Sequence, residues 1–156
     1  MTGEVKFIEY NKIFLEKSWE WLNNPIIKKL TNTPDFTKEG QQAWFKSLKD
    51  KKDYFIQGIS YNNLPIGVVG LKNITNIQAE YWGYIGEIDF WGKGIGKEMM
   101  TFAIQKAKEL NLEKLYLTVL EDNLRAKKLY EKFNFKEKEN KENQLIYMEL
   151  ELKWIF

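Results

Sequence analysis

The chain has 156 residues, the size of one domain built on a single core. Its 24 Lys plus Arg against 22 Asp plus Glu leave a formal charge of +2, so no broad surface for a polyanion is implied. It has no His and no Cys, which excludes disulfide frameworks, thiolate nucleophiles, Cys/His zinc sites and a Ser-His-Asp triad. No apolar run approaches the roughly 20 residues that span a bilayer, and the opening MTGEVKFIEYNK lacks the apolar stretch of a signal peptide. The expectation is a cytoplasmic protein with no membrane and no nucleic-acid partner. With no repeat and no Pro/Gly/Ser-rich linker, a single domain over 1–156 is expected.

In chain order, 5–10 reads as a strand and Ile13 to Leu22 as a helix, with apolar residues at helical spacing. Asn23-Asn24-Pro25 reads as the end of that helix. Thr37 is a plausible N-cap for a second helix running to about Lys49. A β block follows: 54–61, a turn at Asn62-Asn63, 64–74, and a strand across Ala79 to Ile88. Trp91 to Gly96 is a glycine-rich turn, and Lys97 to Leu110 an amphipathic helix with Met100, Ala103, Ile104 and Ala107 on one face. Leu115 to Leu120 is apolar on both faces, as in a buried central strand. Arg125 to Phe133 reads as a last helix, KEKENKEN at 136–143 as a solvated loop, and Gln144 to Leu152 as a closing strand. The order predicts an α+β (mixed α/β) fold, a sheet covered by helices.

Two stretches carry chemistry. In Trp91-Gly92-Lys93-Gly94-Ile95-Gly96-Lys97 the glycines permit a tight turn that leaves successive N–H groups bare at a helix N-terminus, an arrangement that suits a phosphate or pyrophosphate. Neither the G-x-G-x-x-G dinucleotide fingerprint nor a Walker A loop fits the spacing. Downstream, Asn123 and Tyr130 are seven residues apart, nearly two helical turns, and are expected to share one helix face.

With both stretches in hand, the sequence resembles the Gcn5-related N-acetyltransferase (GNAT) superfamily. The family's pyrophosphate motif matches Trp91 to Gly96 except for Trp at its first position, a variation found in the branch resembling ribosomal-protein N-terminal acetyltransferases. The family's N-x-x-A…L-Y-E-K-x-G-F element matches Asn123, Ala126, Leu129, Tyr130, Glu131, Lys132 and Phe135, with Asn134 in place of Gly. The resemblance implies a mostly antiparallel sheet whose middle strands, Ala79 to Ile88 and Leu115 to Leu120, splay apart to admit acetyl-CoA, with no metal. Backbone groups of Tyr84, Ile85 and Gly86 would pair with the pantetheine arm. Gly92, Lys93, Gly94, Ile95, Gly96 and Lys97 would hold the pyrophosphate, and Asn123 would contact the pantetheine.

The resemblance also implies direct acetyl transfer to an amine, with Tyr130 as the general acid towards the CoA sulfur. The base cannot be carried over, because Thr118 stands where some relatives have a carboxylate. Glu80 is the leading candidate, near a bulge expected at Gly83; Glu87, Asp89, Tyr84 and water are the others. Segments 19–25, 31–36 and 41–45 resemble those of nucleotide-sugar N-acetyltransferases, which act on the 4-amino group of UDP- or dTDP-linked deoxyamino sugars. Trp21, Asn23, Trp44 and Trp82 are therefore substrate candidates. Protein N-termini, polyamines and aminoglycosides are alternative acceptors, and a non-catalytic acetyl-CoA-binding module is the alternative from another class. A homodimer is compatible with this reading.

Overall fold

A computed structural model of the chain describes residues 3–140 and 144–152, without the side chains of residues 139 and 140. Strands β1 (Val5–Glu9), β2 (Phe55–Tyr61), β3 (Leu64–Lys72), β4 (Gln78–Ile85), β5 (Lys114–Leu120), β6 (Lys136–Asn140) and β7 (Leu145–Glu151) form one sheet in the order β1-β2-β3-β4-β5-β7-β6. All neighbours are antiparallel except β4 and β5, which run parallel. Helices α1 (Lys12–Asn23), α2 (Pro25–Leu30), α3 (Lys38–Ser47), α4 (Ile95–Glu109) and α5 (Leu124–Lys132) flank it. This is the mixed α/β architecture expected from the sequence. Among the described residues no helix is long and apolar enough to cross a membrane.

Strand alternation gives the sheet two different faces. On one, Leu71, Tyr81, Leu115, Leu117 and Met148 pack with Met99, Met100, Ala103 and Ala107 of α4, and Tyr130 of α5 joins them. On the other, Val68 packs with Phe14, Leu15 and Trp21 of α1 and Ile27 of α2, joined by Trp82 and Tyr84. The hairpin between β2 and β3 turns where the sequence places it, with Asn62 and Asn63 at φ 48 and 69, values that Asn tolerates better than most residues. Asn134 is likewise at φ 74, which explains how it stands in for the family's glycine.

One sequence expectation is extended and four are corrected. Asn23-Asn24-Pro25 ends α1 and also starts α2: the Asn24 side chain accepts from Ile26 N and Ile27 N, and Pro25 takes the first helical turn, where its missing N–H costs nothing. The run KEKEN at 136–140 is strand β6 at the sheet edge, where exposed charges suit an unpaired side; 141–143 lie outside the described residues. β4 stops at Ile85 and is followed by a 3-10 turn at Ile88–Phe90. Although β5 is central, only Leu115, Leu117 and Val119 are buried, and Thr118 between Leu117 and Val119 is exposed. No bulge occurs at Gly83. The β3–β4 register runs unbroken from Gly67 opposite Ile85 to Lys72 opposite Glu80. Gly83 instead allows a close approach, since a Cβ there would stand 2.9 Å from Met99 Cε and from the Val68 carbonyl.

Candidate active site

The site is built on a break in the sheet. β4 and β5 are in register only at Gln78–Lys114, Ala79–Leu115 and Glu80–Tyr116; beyond that they part. β4 continues to Ile85 paired with β3 alone, so its other edge faces a gap. Which peptide groups face that gap follows from two hydrogen bonds. Gly86 N donates to Ile66 O at 2.7 Å, so Gly86 and, two residues back along the strand, Tyr84 turn their peptide groups towards β3. Ile85 and Gly83 turn theirs towards the gap. Trp91 Nε1 donates to Ile85 O at 2.9 Å, which leaves the Ile85 N–H and the Gly83 peptide groups facing the gap. Of the expected trio Tyr84, Ile85 and Gly86, Ile85 turns its peptide groups to the gap, as Gly83 does, because a strand alternates the direction of its peptide groups.

At the open end lies the glycine turn. Gly92 and Gly94 are at φ +75 and +82, a conformation that disfavours any side chain, and nothing lies within 4 Å of where their Cβ atoms would stand. Helices α1, α2, α3 and α5 each have a side-chain cap, from Asn11, Asn24, Thr37 and Asn123. α4 has none: Gly94 caps it without a side chain, so the first N–H groups of Ile95, Gly96 and Lys97 lack the partner that the other helices supply. Lys93 and Lys97 are exposed beside them. Gly96 serves packing, with Leu129 of α5 3.1 Å from where its Cβ would be. Trp91 fixes the turn from both sides. Its indole holds Ile85 O, and the Arg125 guanidinium lies 5.8 Å from its ring centre.

Tyr130 packs from α5 against β4. Its ring stands edge-on to Tyr81 at 6.1 Å and lies 5.9 Å from Phe135. Burial pushes its phenol up to about 12, so it stays protonated at neutral pH. Asn123 is not on the face of that helix. It is the N-cap, with Oδ1 accepting from Ala126 N at 3.3 Å, so helical spacing cannot be counted from it. Its side-chain N–H groups have no partner among the described residues.

On the opposite face are the other candidates. Glu80 is the last β4 residue in register with β5; Asn73 Nδ2 donates to its Oε1 at 3.1 Å, and its side chain lies on the opposite side of β4 from Tyr81. Glu87 is occupied, accepting from Trp21 Nε1 at 2.7 Å, and Asp89 lies exposed in the 3-10 turn. Burial raises the Tyr84 phenol well above its ordinary value, which removes the phenolate as a base. Trp21 is 4% exposed, with its ring pressed on Gly86, so it clamps α1 to the end of β4. Trp44 packs edge-on to Tyr10 and Tyr54, and Trp82 meets Tyr54 at 6.0 Å with its Nε1 buried and unpartnered. Asn23 is exposed, and its Nδ2 donates to Trp19 O at 2.7 Å. None of these four lines the cavity beside α2. That cavity, about 520 Å³, lies between α2 and the end of β5 and is lined by Pro25, Lys28, Lys29, Asn32, Thr33, Leu120, Asp122 and Gln144.

A family model, the acetyltransferase (GNAT) family, matches residues 17–135. The chain belongs to the GNAT family. Acetyltransferase PseH of Campylobacter jejuni is 30% identical over 132 residues, covering 83% of this chain and 81% of PseH. The uncharacterized protein MJ1062 of Methanocaldococcus jannaschii is 29% identical over 137 residues, 85% of this chain, but the match spans only 28% of that longer protein. Among solved structures, a domain from Methanocaldococcus jannaschii superposes with a TM-score of 0.86 at 24% identity, covering 97% of this chain and 100% of that one. PseH in complex with acetyl coenzyme A gives 0.69 at 20% identity, covering 96% and 99%. Spermidine N-acetyltransferase from Vibrio cholerae, in complex with CoA and spermine, gives 0.82 at 21% identity, covering 96% and 95%.

GNAT enzymes use acetyl-CoA, and the residues present fit it. The uncapped N–H groups of α4 and the bare glycine turn suit a pyrophosphate, and the unpaired edge of β4 suits the amide-bearing pantetheine.

Proposed function

We propose that the protein is an acetyl-CoA-dependent N-acetyltransferase acting on a primary amine, with the 4-amino group of a nucleotide-linked deoxyamino sugar as its acceptor. The observation that carries this reading is the β4–β5 gap, with the glycine turn at its open end and Tyr130 packed beside it on the α4–α5 side. Acetyl-CoA supplies the activated acyl group, and the reaction belongs to the cytoplasm, the compartment expected from the sequence.

The amide N–H groups of Gly92 to Lys97 hold the pyrophosphate, and Ile85 and Gly83 orient the pantetheine as an added strand would. Glu80 takes a proton from the attacking amine, from the face opposite Tyr130. As the new C–N bond forms and the C–S bond breaks, the Tyr130 hydroxyl donates to the departing sulfur. A phenol is a weaker acid than a thiol, so its main contribution is a hydrogen bond to the developing negative charge. The proton lost by nitrogen balances the proton gained by sulfur, and solvent restores Glu80 and Tyr130. No acyl-enzyme is formed, which agrees with a chain that has no Cys.

The choice of acceptor rests on the segments that resemble nucleotide-sugar enzymes. Pro25 and Thr33, from two of them, line the cavity. Two lysines in the same lining disfavour a polyamine, whose charges they would repel. The test is release of CoA from acetyl-CoA with a panel of amines: UDP- and dTDP-4-amino sugars, spermidine, an aminoglycoside and a peptide amine. Turnover of the nucleotide-linked sugars above the rest is expected. Preference for spermidine would overturn the substrate, and binding of acetyl-CoA without turnover of any amine would overturn the enzyme.

A further inference from the structure

The cavity between α2 and the end of β5 has unlike charges on its two walls. Lys28 and Lys29 lie in the last turn of α2, on one side. Asp122 lies on the other, in the turn joining β5 to α5 and next to Asn123. Lys29 is exposed and has no ion-pair partner among the described residues. Lys28 pairs with Asp35, so an incoming anion would compete with that exposed carboxylate for it, while Lys29 is open to one. Neither lysine belongs to the glycine turn, and α2 approaches the sheet from the side opposite α4 and α5.

We infer that this cavity binds the diphosphate of the acceptor, on Lys28 and Lys29. The inference rests on the proposed reading of the acceptor and adds the residues that select it. A nucleotide-linked amino sugar carries a dianion between its base and its sugar, so the lysines would hold it by the diphosphate and leave the amino-sugar end free to extend to the gap. Spermidine, an aminoglycoside or a peptide amine brings a cation alone and gains nothing from the lysines. The volume, about 520 Å³, falls within the usual range for small-molecule sites.

The test measures inhibition by UDP, and separately by dTDP, on the wild type and on Lys28→Ala/Lys29→Ala. The diphosphates should compete with the acceptor and not with acetyl-CoA. In the double variant, inhibition and the KM for a UDP-linked amino sugar should each weaken about ten- to hundredfold, as expected for losing hydrogen bonds to a charged group. The kcat, the KM for acetyl-CoA and the melting temperature should stay as in the wild type, and Lys28→Arg/Lys29→Arg should restore most of the affinity. Competition with acetyl-CoA, or an unchanged KM for the linked sugar in an enzyme that turns it over, would overturn the lysine assignment alone. Failure of the wild type to acetylate any nucleotide-linked sugar would overturn the acceptor reading and this inference with it.

Discussion

The two sides of the β4–β5 gap are made of different materials. On the α4–α5 side the proposed recognition surface is mostly backbone: bare N–H groups, two glycines at positive φ and the unpaired edge of β4, with the Tyr130 ring packed against Tyr81. On the α1–α3 side it is side chains: two lysines, an aspartate, a carboxylate on β4, and tryptophans that serve mainly as packing. Backbone geometry is set by the fold and tolerates few residues, so it suits a ligand that never changes. Side chains can be exchanged without disturbing the sheet, so that side is free to be fitted to one amine or another.

The comparison breaks most sharply at Tyr130. Tyr130→Phe removes the hydroxyl and leaves the ring packed on Tyr81 and Phe135. The kcat should fall about a hundredfold or more, within the usual range for a proton-donating group, while acetyl-CoA affinity stays close to wild type. Equal losses in both would show that Tyr130 only shapes the site. Because burial holds this phenol at about 12 against an ordinary value of about 10, it should remain protonated across the working pH range. The linked stability is complete below about pH 10 and is lost as the pH rises through about 12. A phenolate absorbance titration of the native protein should therefore show this tyrosine ionising later than the same residue in the unfolded chain.

Gly94→Val tests the backbone side alone. A β-branched residue at φ +82 costs about 1 to 3 kcal/mol, so acetyl-CoA binding should weaken about ten- to hundredfold or the turn should rearrange. Binding of UDP should not change. A smaller effect is expected at Gly86→Ala, where the new Cβ would stand 2.1 Å from the Trp21 ring. Displacing that indole from Glu87 should destabilise the protein by about 1 to 3 kcal/mol, read as a lower melting temperature. Asn24→Ala should cost about 1 kcal/mol through the cap of α2 and should loosen the acceptor before it loosens acetyl-CoA.

The same division decides how much was legible in the sequence. The glycine turn and the Leu124–Lys132 helix are local, so Gly92, Gly94 and Tyr130 stand out as short patterns, and the parted middle strands follow from the family they imply. The cavity proposed for the acceptor joins residues of 25–33 to Leu120, Asp122 and Gln144, which are adjacent only after folding. It also depends on α2, which the sequence masks because Asn24-Pro25 carries a helix stop and a helix start signal at once. Trp21 and Trp44 are substrate candidates by sequence, yet in the fold Trp21 packs on Gly86 and donates to Glu87, and Trp44 packs on Tyr10 and Tyr54. Trp91 had the opposite fate. It looked like a departure from the motif, but its indole bond to Ile85 O is what ties the glycine turn to β4.

The central claim is that donor and acceptor occupy opposite sides of one gap at the same time and react without a covalent enzyme intermediate. Initial rates measured over a grid of acetyl-CoA and amine concentrations test it most directly. The account predicts intersecting double-reciprocal lines, the pattern of a ternary complex. Parallel lines, with acetyl retained on the protein when acetyl-CoA is supplied alone, would contradict it.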